Sequence, residues 1–264
     1  MSQLQGSGLA LTVSGRTILD NIDVAISEGE FIGLIGANGA GKSSLLRILA
    51  GLQEATAGAI NYKGRAIHEM DPASRARFIG YLPQQAPLHW DLTVENVVAL
   101  GRLPWRNWWQ GDSDAEQAIE HALHVAELEA LRDRSVENLS GGERMRVMLA
   151  RLFAGTPNVV LADEPTTALD AYHQIQVMEL LRSHADKGGA VIAVLHDLVL
   201  GARFCDRLIL LDHGRVEAND VPQQVLDEDR LRKCYGVDVR RIECDGEVLV
   251  VPWRRAEPQA PDHG

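Results

Sequence analysis

Residues 31–43 read FIGLIGANGAGKS: a short apolar run, glycines at 36, 39 and 41, then a lysine and a serine. The eight residues from Gly36 fit GxxxxGK[ST] in full, and the next stretch, KSSLLRILAGL, places leucine and isoleucine at helical spacing up to Gly51. Strand, glycine loop and helix therefore follow one another, the context that gives the pattern its meaning. Glycines let backbone N–H groups close around phosphate oxygens, and the helix contributes the positive end of its dipole. Gly36, Ala37, Asn38, Gly39, Ala40, Gly41, Lys42, Ser43 and Ser44 form the expected phosphate-binding set. Lys42 is placed to reach the outer phosphates and Ser43 to ligate magnesium.

The rest of the chain supports an α/β sheet of mainly parallel strands. NVVLADEP and AVIAVLHD read as buried strands, DRLILLDHGRVEAND as a strand and turn, and GERMRVMLARLFAG and QIQVMELLRSHADKG as helices between them. Near the start, LALTV and TILDNIDVAI are strand-like and flank a turn. From Pro83 to about Leu139 the composition shifts to scattered prolines, four of the five tryptophans and a helical segment. In SDAEQAIEHALHVAELEAL, Ser113 and Glu116 fit a capping box, and Ile119, Ala122, Leu123 and Ala126 make an apolar stripe. The late YGVDVRRIECDGEVLVVP alternates like a hairpin turning at Asp245 and Gly246.

With 264 residues, 45% of them hydrophobic, the chain has ample material for a core. No apolar run reaches the eighteen or so residues that a membrane span needs, and the first residues lack the pattern of a signal peptide. A formal net charge of −11 argues against a broad grip on nucleic acid, so no nucleic-acid partner is expected. Cys205, Cys234 and Cys244 have no metal-binding spacing and are read as reduced structural residues. RARF, around Arg75 and Arg77, reads as a solvated helix face.

Further candidates sit at strand ends. Asp163 closes NVVLAD, where it can hold magnesium, and the adjacent Glu164 can orient and deprotonate a water. His196, after AVIAVL, is either a satisfied edge residue or aimed at the terminal phosphate. Gln84, in YLPQQ, offers a neutral amide to magnesium and water. LSGGE at 139–143 is a second glycine-rich serine element with no obvious work for a chain that already has a phosphate loop.

Taken in order, GANGAGKS, LPQ, LSGGE, VVLADEP, ALD and LHD resemble the ATP-binding subunit of an ABC transporter over roughly residues 9 to 220. The resemblance implies a P-loop NTPase core with a mixed, mainly parallel sheet, an N-terminal antiparallel β subdomain and a helical insertion. It implies one ATP-binding domain over 1–255, with the core at about 1–85 and 150–240, the helical part at about 86–149, and a frayed tail at 256–264. ATP and Mg2+ are the implied ligands. Ser140, Gly141 and Gly142 would close on ATP held by a second subunit, with Leu139 seating that loop, and Asp170 would lie at the seam of the homodimer. Glu164, His196 and Gln84 become the catalytic set, and Ser43, Gln84 and Asp163 the metal set. The segment around residues 86 to 135 would receive a transmembrane permease dimer, placing the chain peripherally on the cytoplasmic face of the membrane and a substrate-binding protein beyond the permease.

This sequence departs from the pattern in LTVSGRTILD, which has no aromatic residue to stack on adenine, and in Ser44 and Glu143, which stand where threonine and glutamine are usual. VVALGRLP and YGVDV resemble the subfamily that serves importers of ferric siderophores, haem and cobalamin; another cargo, or a soluble ABC ATPase, is the alternative. Two readings of Trp90, Trp105, Trp108 and Trp109 stand together, an exposed anchor for the permease and packing of the helical segment on the core.

Overall fold

The computed structural model describes residues 2–84, 92–106, 112–244 and 247–256. Trp90, Trp108, Trp109, the expected turn at Asp245 and Gly246, and residues 257–264 lie outside the described residues. The chain opens with β1 (Ser2–Val13) and β2 (Arg16–Ser27), an antiparallel pair. Leu19, Ile22, Val24 and Ile26 alternate into the core from β2, meeting Leu4, Leu9 and Leu11 of β1. β1 begins earlier than LALTV suggests. Its first residues, SQLQGSG, look polar in a sequence window, yet they pair with strands on both sides.

β3 (Phe31–Gly36) runs into α1 (Lys42–Leu49) through the glycine loop. β4 (Ala57–Tyr62) and the short β5 (Arg65–Ala66) extend the N-terminal sheet to the order β2-β1-β4-β5. After α2 (Pro72–Phe78) and β6 (Ile79–Leu82) come α3 (Val94–Ala99), a 3-10 segment over Leu100–Trp105, α4 (Ala115–Val125) and α5 (Gly141–Ala154). The remaining elements are β7 (Val159–Ala162), α6 (Ala171–Asp186), β8 (Ala190–Val194), α7 (Leu198–Phe204), β9 (Arg207–Asp212), β10 (Arg215–Asp220), α8 (Pro222–Val225), α9 (Glu228–Tyr235), β11 (Val237–Cys244) and β12 (Glu247–Arg255).

The main sheet has the order β10-β9-β3-β8-β7-β6, parallel throughout except for β10. Every residue of β3, β7 and β8 is buried, as a sheet covered on both faces requires. One apolar cluster lies between this sheet, α1 and the N-terminal sheet, and a second beneath α5, α6, α7 and the β11–β12 hairpin. A third, built on Val94, Val97, Val98, Leu123 and Val147, joins α3, α4 and α5. The stripe of α4 falls on it: Ala122, Leu123 and Ala126 are buried and Ile119 packs at its edge.

The expected capping box of α4 does not form. Asp114 occupies the cap position with φ −100° and ψ 2°, outside the extended backbone that a capping side chain uses, and makes no side-chain cap bond. Its N–H is taken by the Asp112 carboxylate at 3.3 Å, and the Ser113 hydroxyl turns to Asp114 at 3.0 Å. Asp112 in turn receives both Arg102 Nε (2.6 Å) and Nη2 (2.8 Å) in a pair that is 5% and 8% exposed. Trp105 sits between Arg77 and Arg102, with its Nε1–H donating to the Gly155 carbonyl at 2.9 Å. For this tryptophan the packing reading holds. Arg77 is likewise no solvated face residue: its Nε donates to the Pro104 carbonyl at 2.7 Å, because the 3-10 segment covers α2.

Cys205 and Cys234 are free and buried, and burial pushes both thiols above their ordinary range. The side chain of Cys244 is outside the described set.

Candidate nucleotide site

β3, β8 and β7 lie side by side and parallel, so the segments that follow their C-terminal ends meet above the sheet. This is the edge where open α/β sheets hold ligands. Gly36 ends β3 with φ 146°, and a Cβ there would stand 2.2 Å from the Leu211 carbonyl oxygen. Only glycine fits. The loop then curls around a cavity of about 290 Å³ lined by Asn38, Gly39, Gly41, Lys42, Ser43, Ser44 and Glu164, with Arg16 and Ile18 of β2 at its margin.

Lys42 is buried and its Nζ donates to the Gly36 and Ala37 carbonyls at 2.7 and 3.0 Å. Burial holds its pKa below the usual lysine range, opposed by the charges of Glu164 and Asp163. Ser43 donates its hydroxyl to Asp163 Oδ1 at 2.8 Å, and Tyr81 donates to Asp163 Oδ2 at 3.2 Å. Asp163 is fully buried. Its backbone N–H continues the ladder to the Leu82 carbonyl at 2.8 Å, so it stands at the very end of β7.

Glu164 follows with φ 54°, a left-handed conformation that costs a non-glycine residue about 1–3 kcal/mol and tends to mark functional positions. Its carboxylate faces three donors: His196 Nε2 (2.7 Å), Gln84 Nε2 (2.6 Å) and Thr167 Oγ1 (3.1 Å). Burial pushes its pKa up, yet the hydrogen bond and charge of His196, with Thr167 and Gln84, hold it below the ordinary carboxylate value. Glu164 is therefore ionised at neutral pH and carries a strong acceptor into the cavity.

The fold thus gathers Lys42, Ser43, Asp163, Glu164, Gln84 and His196, which sequence spacing alone leaves up to a hundred residues or more apart. It does not gather LSGGE. Ser140 and Gly141 are exposed at the N-terminus of α5, and Asp170 is exposed at the N-cap of α6; none of the three lines the cavity at the glycine loop. Tyr81, Thr167 and Arg16 were not singled out by sequence, since a strand tyrosine, a turn threonine and a hairpin arginine all have commoner uses.

A family model described as ABC transporter matches residues 19–167. The chain belongs to the ABC transporter family. This ABC ATPase is 43% identical to a hemin import ATP-binding protein of Rhodococcus jostii, over 95% of this chain and 86% of the relative. It is 39% identical to a cobalamin import ATP-binding protein of Halobacterium salinarum, over 94% of this chain and 63% of the relative. Among solved structures it resembles a dimeric ATP-binding cassette in a post-hydrolysis state bound to ADP and phosphate, with 30% identity, a TM-score of 0.72, and coverage of 83% and 98% of the two chains. The chain is accordingly an ATP-binding cassette whose reaction is hydrolysis of ATP.

In this ABC ATPase the stretch LSGGE, the signature loop of the resemblance, is also a helix cap. Ser140 Oγ accepts from the Glu143 N–H at 3.2 Å, and the Glu143 carboxylate accepts from the Ser140 N–H at 2.7 Å. The capping box absent from α4 is found here, and it starts α5 at Gly141, one residue before the Gly142 that opens GERMRVMLARLFAG. The capping explains why glutamate serves in a position where the family pattern has glutamine: its carboxylate is held below the usual range by the Ser140 backbone and side chain. No helix among the described residues is long and apolar enough to cross a membrane.

Proposed function

We propose that this cassette powers uptake of a metal chelate through a separate permease, with haem as the first candidate and cobalamin or a ferric siderophore as the others. The observation that carries the catalytic half is the trio of donors on Glu164 immediately beyond the Ser43–Asp163 pair. The cargo rests on the similarity to the hemin and cobalamin import proteins, which extends over nearly all of this chain.

ATP would lie with its phosphates against the loop amides and Lys42. Ser43 and Asp163 put a hydroxyl and a buried carboxylate 2.8 Å apart, an all-oxygen donor set that suits Mg2+, with the Gln84 amide as a third donor. Bound there, the ion would neutralise charge on the outer phosphates. Glu164, kept ionised by His196, accepts the proton of the attacking water, while His196 and Gln84 hold the carboxylate in place. Arg16 and Ile18 at the cavity margin, and the half-exposed Val13 on the same turn, take the base in place of an aromatic residue. A planar guanidinium stacks on such a ring.

Because Ser140, Gly141 and Asp170 face away from their own cavity, we read two subunits as joined head to tail, each supplying its signature loop to the other's ATP. Closure would follow ATP binding and opening would follow loss of phosphate. A groove of about 620 Å³ between the core and the helical layer, lined in part by Leu52, Arg75, Pro104 and Arg151, is the surface that would receive the permease. The helical layer, on this reading, is the insertion of about 86–149 on a core of about 1–85 and 150–240.

The deciding experiment is a pull-down of the tagged Glu164→Gln protein from solubilised host membranes with Mg2+ and ATP, followed by uptake assays with labelled haem, cobalamin and a ferric siderophore. Recovery of a polytopic permease and uptake of one of the three is expected. Recovery of ribosomes or DNA-repair proteins without a membrane partner would overturn the transport reading and leave the ATPase intact.

A further inference from the structure

Two segments that face away from the chain's own ATP cavity touch each other through one side chain. Asp170 caps α6 by accepting the His173 N–H at 3.0 Å, and the same carboxylate oxygen lies 2.8 Å from His173 Nδ1. The other edge of that imidazole covers Gly142 of the signature loop. A Cβ placed on Gly142 would meet His173 Cδ2 at 2.4 Å, Cγ at 2.5 Å and Nε2 at 2.8 Å, all closer than a real Cβ approaches a neighbour, so a side chain at 142 would displace the ring. Gly142 is buried beneath it, and the His173 side chain is 23% exposed. Beside this contact Tyr172 stands 69% exposed and edge-on to the His173 ring, 5.3 Å between centroids. An aromatic this exposed next to two polar loops is an efficient contact for another protein surface.

We propose that His173 is a positioning residue that joins Asp170 to the signature loop, so that both reach the partner subunit's nucleotide as one piece. This rests on the two-subunit reading above. The glycine at 142 then has a second reason to be glycine, since its missing side chain is the seat of the imidazole. One link is a hydrogen bond and the other is contact between a ring and a backbone, and each transmits displacement between α6 and α5. A change at the seam at Asp170 therefore moves the N-terminus of α5 with it.

The two links can be cut separately. In His173→Asn the side-chain amide nitrogen occupies the place of Nδ1 and retains the donor to Asp170, while the ring over Gly142 is lost. In His173→Phe the ring remains and the donor is gone. Each is made in the Glu164→Gln protein, and three quantities are read: affinity of the single subunit for a fluorescent ATP analogue, thermal midpoint, and dimer formation with Mg2+ and ATP by sedimentation. Both variants should bind the analogue as tightly as the parent and keep its midpoint, yet dimerise about five-fold or more weakly, the lower end of ordinary coupling between sites. Parental dimerisation by either variant overturns the proposal, and so does a loss of dimer that only tracks a fallen midpoint. If the Glu164→Gln parent itself stays monomeric, the two-subunit reading fails and takes this proposal with it.

Discussion

Glu164 draws its three partners from three parts of the chain: Gln84 beyond β6, Thr167 in the turn after β7, and His196 beyond β8. Glu164→Gln should leave ATP bound and lower phosphate release by about 10²–10⁴-fold, the usual share of a general base, and release at the parental rate would remove Glu164 from that role. The linkage also has a sign. A carboxylate whose folded pKa is depressed contributes stability above its unfolded value, about 4.5, and loses that contribution as pH falls through the folded value. In His196→Ala the opposing burial is less resisted, so the Glu164 carboxyl should titrate at higher pH, which carbon NMR of the labelled side chain would follow. Lys42, Ser43, Asp163 and Glu164 were legible in sequence because their chemistry depends on residue type at a fixed distance from a strand end. Tyr81 and Arg16 were not, because only the sheet order brings Tyr81 to Asp163 and only the β1–β2 turn brings Arg16 to the cavity.

Between elements, the least forgiving contact is the Arg102–Asp112 pair, which holds the 3-10 segment against the entry to α4. Arg102 Nη1 also donates to the Ala154 carbonyl at 3.1 Å, anchoring that segment to the end of α5. Asp112→Asn leaves a buried guanidinium without its counter-charge and should cost about 3–5 kcal/mol in a urea unfolding experiment. Arg102 bonding holds the Asp112 carboxyl below its ordinary 3.8, so this stability is present above that value and fades as pH falls through the folded one. The stripe of α4 was readable because periodicity survives any choice of neighbours. Its cap was not, since Ser113–Glu116 has the right letters and the wrong competitor: Asp112 takes the N–H of Asp114, one residue ahead of the helix. The same letters succeed at Ser140–Glu143, where Leu139 is buried and the serine backbone is extended at φ −65° and ψ 167°.

At the scale of the whole molecule, the parallel order of β3, β8 and β7 was implied by alternating buried strands and helices, whereas the outward aim of LSGGE could be expected only through the family resemblance. Ser140→Arg should leave nucleotide binding by one subunit unchanged while preventing the Glu164→Gln dimer, as judged by sedimentation; normal closure would refute the role of the signature loop. Arg151 lines the groove between core and helical layer, and burial there depresses its pKa. Arg151→Glu should weaken recovery of the permease without changing ATP affinity, and unchanged recovery would move the docking surface elsewhere. The sheet order carries one more consequence, for synthesis. β3 is flanked by β8 and β9, pairing with Val191–Val194 on one side and Arg207–Leu211 on the other. A ribosome delivers the glycine loop early and its supporting strands late, leaving an apolar strand with two open edges on the emerging chain. If the glycine loop holds the nucleotide as proposed, capture waits for β9, and a nascent cassette would be inert toward ATP until that strand has emerged.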